Sequence, residues 1–69
     1  MIELRISHWE FSEFTKEWQD RANAMIREYG EQWGLDHEFM FYYVQLNAPE
    51  FVMANLRYPD VVEHLKQAR

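Results

Sequence analysis

Between His8 and Trp33 the large apolar side chains recur at helical spacing: Phe11, Phe14, Trp18, Ala22, Met25, Tyr29 and Trp33 follow one another at steps of three or four residues. At about 100° per residue these side chains fall within about 100° of one another, with Ile26 beside them. Glu13, Lys16, Asp20, Arg27 and Glu31 lie on the other side. A stripe of that width predicts an amphipathic helix laid against a core, and no other segment is constrained as strongly. Ser7, with Glu10 three residues on, and Ser12 both offer an N-cap. Gly30 and Gly34 both offer a left-handed C-terminus, and Gly34 is preferred because Trp33 still belongs to the stripe. Glu17 with Arg21 and Lys16 with Asp20 are four apart, the spacing of charge pairs along a wet helix face.

A helix from Glu10 to Trp33 measures about 36 Å at about 1.5 Å per residue. A compact chain of 69 residues has a diameter of only about 28 Å. The helix is therefore expected to overhang its own domain, and a second copy of the chain would cover the overhang, so a homodimer is expected. The alternative is that the following segments fold back over the whole stripe.

The flanking segments carry weaker signals. Ile2, Leu4 and Ile6 alternate with Glu3, Arg5 and Ser7, the period of a half-buried strand, and such a strand needs a partner for its backbone groups. Leu35 to Leu46 supports two readings. Asp36 can cap a helix with Leu35 and Met40 as its hydrophobic staple, whereas Phe39, Phe41, Tyr43 and Val44 are strand-prone and would supply that partner. The helix is preferred for its specific cap chemistry. Further on, Pro49-Glu50-Phe51-Val52 and Pro59-Asp60-Val61-Val62 repeat one order, in which proline opens a helix and the acid complements the helix dipole. Helices are expected from Pro49 to Arg57 and from Pro59 to Gln67. The expected fold class is mainly α: a small single-domain helical bundle spanning residues 1–69, with one long amphipathic helix, two or three shorter helices and a short N-terminal β-strand.

Composition narrows function by exclusion. The chain has 12 Asp plus Glu against 7 Lys plus Arg, a formal charge of -5, which disfavours direct nucleic-acid binding. A hydrophobic content of 48% with 17% aromatic residues disfavours disorder. There is no Cys, so neither disulfides nor thiolate metal sites are available. No apolar run reaches the about 18 residues of a membrane span, and no secretory leader pattern opens the chain, so a cytoplasmic protein without membrane association is expected. His8, His37 and His64 sit in no catalytic signature, and His37, Glu38, Glu63 and His64 lack the spacing of a metal site. The only two glycines flank Glu31, Gln32 and Trp33 and make no phosphate loop. No enzymatic activity, cofactor or metal is expected.

Aromatic and methionine side chains are the types enriched at protein interfaces, and here they accompany an acidic surface. The expectation is a small acidic protein–protein interaction module, an inhibitor or adaptor of a partner that can carry a basic surface. It suits a phage- or plasmid-encoded accessory protein. The expected contact residues are Trp9, Tyr29, Trp33, Tyr42, Tyr43 and Tyr58 among the aromatics, with Glu13, Glu17 and Asp20 choosing the partner. The alternative is a structural oligomerisation or assembly-chaperone module; an antitoxin ranks below these, and a nucleic-acid mimic is disfavoured because carboxylates on the first helix are interleaved with Lys16, Arg21 and Arg27.

Overall fold

The computed structural model describes residues 1–29 and 32–68. Its elements are, in chain order, β1 (Ile2–Ser7), α1 (His8–Glu13), α2 (Lys16–Glu28), β2 (Gly34–Asp36), β3 (Phe41–Leu46), α3 (Ala48–Arg57), α4 (Pro59–Val62) and β4 (Lys66–Ala68). The strands form one antiparallel sheet in the order β2-β3-β1-β4. β1 therefore lies between β3 and β4, which run parallel to each other, and α3 with α4 make the crossover between them. The connectivity is βαββαβ, a split βαβ arrangement whose two helical legs are each broken in two.

This α+β domain replaces the mainly helical bundle expected from the sequence. Two differences produce it. The stripe from Phe11 to Trp33 belongs to two helices, not one: the chain leaves helical geometry at Phe14, and Thr15 caps α2 by accepting the Trp18 amide at 3.2 Å. Both helices press their apolar sides against the same layer, so the periodicity runs on across a break it cannot register. α2 ends at Glu28, and the expected termination at Gly30 and the polar-face position of Glu31 lie outside the described residues. Gly34 is a strand residue in β2 and does not end a helix.

The second difference is that Leu35 to Leu46 is a β-hairpin and not a helix. Asp36 does act as a cap, but of a turn: its Oδ1 accepts the Glu38 and Phe39 amides, each at 2.9 Å, and Met40 then takes a left-handed φ of 54°. β3 becomes the partner that β1 requires, in the register Leu4 to Val44 and Ile6 to Tyr42. The proline echo does open two helices, although α4 stops at Val62 and Lys66–Ala68 returns to the sheet, where a helix to Gln67 was expected.

All the helices cover one face of the sheet. Leu4 and Ile6 of β1 and Val44 and Leu46 of β3 meet Trp18, Ala22, Met25 and Ile26 of α2, Ala54 of α3 and Val61, Val62 and Leu65 from the final crossover. Each fully buried large aliphatic side chain contributes about 1.5–3 kcal/mol. The molecule measures 29 × 26 × 19 Å, and α2 has 13 residues, so no helix overhangs the domain. The geometric reason for expecting a homodimer thereby falls away.

Candidate functional site

The residues singled out in the sequence do not converge on one surface. Trp33 and Tyr42 do come together, but against the core: Tyr42 lies 5.2 Å from Phe11, 6.2 Å from Trp33 and 5.6 Å from His8, ring centre to ring centre. The Trp33 indole N–H donates to Asn23 Oδ1 at 2.9 Å. Tyr29 packs beside the core with its hydroxyl buried and without a hydrogen-bond partner among the described residues, and burial pushes that phenol's pKa up. Tyr58 is tied down: its hydroxyl donates to Glu28 Oε2 at 2.8 Å, which raises its pKa, and the Arg21 guanidinium lies 5.2 Å from its ring centre. Trp9 alone of the three tryptophans is well exposed, at 61%.

Glu13, Glu17 and Asp20 are exposed and, among the described residues, form no ion pair. The expected pairing of Glu17 with Arg21 gives way to a longer-range one. Arg21 reaches across to α4 and grips Asp60 with Nε and Nη2, both at 2.7 Å, a two-pronged contact that holds the Asp60 carboxyl below its usual pKa range. Arg57 pairs with Glu28 in the same region. These contacts lock α2 to α3 and α4, so the charged side of α2 is partly committed to holding the fold together.

Two surfaces are the more suggestive; the sequence pointed to neither as a whole and named only Tyr43 of the second. The first is the outer side of α3. At about 100° per residue, Pro49, Val52, Met53 and Leu56 fall within about 100° of one another, facing away from the buried Ala54. Val52 is 55% exposed, Met53 45% and Leu56 71%. The inner side of α3 buries Ala54 and packs Phe51 against the core. The helix is thus apolar on both sides, and only Glu50 and Arg57 in it are charged. The signal was present in the sequence, since Glu50, Asn55 and Arg57 are the only side chains among residues 48–57 with polar or charged groups.

The second is the sheet face turned away from the helices. It carries Tyr43 and Phe41 on β3, with ring centres 6.1 Å apart, and the Tyr43 ring lies directly over Gly34 of β2, where a Cβ would come within 2.3 Å of it. Gly34 is required there for that close approach. Beside them Arg5 places its guanidinium carbon 4.5 Å from the Phe41 ring centre and its Nε on Glu3 Oε2 at 2.5 Å. With Gln45 also bonded to Glu3, that carboxyl titrates below its ordinary range. A groove of about 350 Å³ opens at this side, between Arg5, Phe39, Phe41 and Lys66.

Among the described residues no three His, Asp or Glu side chains are grouped to hold a metal ion, and no helix is long and apolar enough to cross a membrane. Comparison with family models, with curated proteins and with solved structures returned no match.

Proposed function

We propose that the protein is a small cytoplasmic binding module that inhibits or adapts another protein, and that α3 is its recognition helix. The observation that carries this reading is the apolar outer side of α3, because Val52, Met53 and Leu56 face water together on a helix whose inner side already fills the core, and such a strip is the kind of surface a partner covers. Val52, Met53 and Leu56 stand at the spacing with which a helix fills a hydrophobic groove on a partner. The charge of -5 steers the chain toward a partner with a basic rim. Three exposed apolar side chains fall short of the roughly 800 Å² per side of a stable interface, which favours a reversible complex over an obligate homodimer.

The reading is tested with Leu56→Asp and Val52→Asp. Both side chains already face water, so far-UV circular dichroism and urea midpoints stay at wild-type values while capture of the partner from host lysate is lost. Unchanged capture by both variants would refute the assignment to α3. A concentration-dependent dimer in solution, abolished by the same variants, would move the reading to self-assembly.

A further inference from the structure

On the face opposite the helices, β1 and β4 pair with Arg5 directly across from Lys66. Glu3 already offsets the charge of Arg5, and the Lys66 ammonium directly opposite adds a second positive charge on the same face, which a further anion between the two would offset. Arg5 hydrogen-bonds Glu3 through Nε, and among the described residues its terminal guanidinium nitrogens make no side-chain hydrogen bond and the Lys66 ammonium makes no ion pair. The two cations stand at a groove of about 350 Å³, within the size range of small-molecule sites. Phe39, 69% exposed, forms another wall, held out by the Asp36 turn. The Ser7 hydroxyl lines it too, accepting the Glu10 amide at 3.1 Å and keeping its own proton to donate.

The geometry points to a binding site for a nucleoside monophosphate, with the phosphate between Arg5 and Lys66 and the base laid against Phe39 and the Arg5–Phe41 stack. A guanidinium is the preferred forked donor to phosphate, and flat bases stack on aromatic rings and on guanidinium planes alike. The charge pattern favours a free nucleotide over a strand: Glu10 lines the groove, Glu3 and Asp36 share the same sheet face, and the net charge of -5 opposes every additional phosphate. This site lies on the other side of the sheet from α3 and is independent of the docking reading above.

The test is a titration of the isotope-labelled full chain with adenosine monophosphate, followed by amide chemical shifts. Saturable shifts centred on Arg5, Phe41, Lys66 and Gln67 are expected, with a Kd of about 1 mM or tighter. Adenosine and ribose 5-phosphate, each lacking half of the ligand, bind about tenfold or more weakly. Lys66→Gln weakens binding about fivefold or more, and so does Phe39→Ser, whose side chain is mostly in water; Lys16→Gln, on α2, leaves it unchanged. Absence of shifts at about 10 mM nucleotide would overturn the proposal, as would equal binding by the Phe39→Ser and Lys66→Gln variants. Ribose 5-phosphate binding as tightly as the nucleotide would reduce the site to an anion contact and overturn the stacking. Tighter binding of a short oligothymidylate than of the mononucleotide would overturn the assignment to a free nucleotide.

Discussion

Replacing Trp18 should separate what the α1–α2 break costs from what it gains. Trp18 is 8% exposed, stacks on Phe14 at 4.1 Å with planes 17° apart, meets the edge of Phe11 at 5.8 Å and donates its indole N–H to the Asp60 carbonyl at 3.0 Å. One side chain thus joins the junction between α1 and α2 to α4. Trp18→Ala removes the whole contact, for about 3–5 kcal/mol. A chain of 69 residues has only about 3–10 kcal/mol of total stability. The Ala variant is therefore expected to lose about a third or more of the stability of the fold. Trp18→Phe keeps an aromatic ring against Phe14 and loses chiefly the hydrogen bond, for about 0.5–1.5 kcal/mol. Urea unfolding followed by circular dichroism measures both. A loss below about 1 kcal/mol for Trp18→Ala, or equal losses for the two variants, would refute the view that this ring ties the helical layer together.

Further outcomes follow from single contacts. Gly34→Ala forces the Tyr43 ring off the sheet and destabilises by about 1–3 kcal/mol; in a Tyr43→Ala background the same change is tolerated, and a double-mutant cycle that came out additive would deny the contact. Asn47→Ala breaks the reciprocal cap in which Asn47 accepts the Glu50 amide and Glu50 accepts the Asn47 amide, both at 2.9 Å, and costs about 1 kcal/mol in urea midpoint measurements. The Asp60 carboxyl, held low by Arg21, has a folded pKa below its unfolded one. Its stabilising contribution is accordingly full above the unfolded value of about 4 and is lost as pH falls through the folded value, so wild type and Asp60→Asn should converge in stability toward acid pH and separate above it.

Local chemistry was legible in the sequence where it was specific, and the layer it served was not. Ser7 does cap a helix, accepting the Glu10 amide, and the alternation of Ile2, Leu4 and Ile6 is a strand with its apolar side inward. Pro49 and Pro59 do stand in first helical turns. The errors came from signals that two structures share. An Asp oxygen accepting the amides two and three residues on opens a helix or closes a tight turn, and at Asp36 the strand pairing available to Phe41–Leu46 selected the turn. A stripe of apolar residues at helical spacing passes unbroken from α1 to α2 because both rest on one sheet; the break is made by Thr15, an N-cap with no acidic partner three residues on. Of the residues expected to make contacts, Tyr42 and Trp33 are half-buried against the core, and the apolar outer side of α3 lies outside the stripe of residues 11–33 that dominates the sequence.

The claim that α3 faces a protein partner is tested most directly by a photo-reactive amino acid placed at Leu56 and, separately, at Ala24 on α2, each activated in the native host. Leu56 and Ala24 lie on different helices, and Ala24 has the charged residues Asp20, Arg21, Arg27 and Glu28 three and four positions to either side of it. The account predicts one discrete cross-linked protein from position 56 and none from position 24. Equal cross-linking from both positions, or cross-links from position 24 alone, would contradict it.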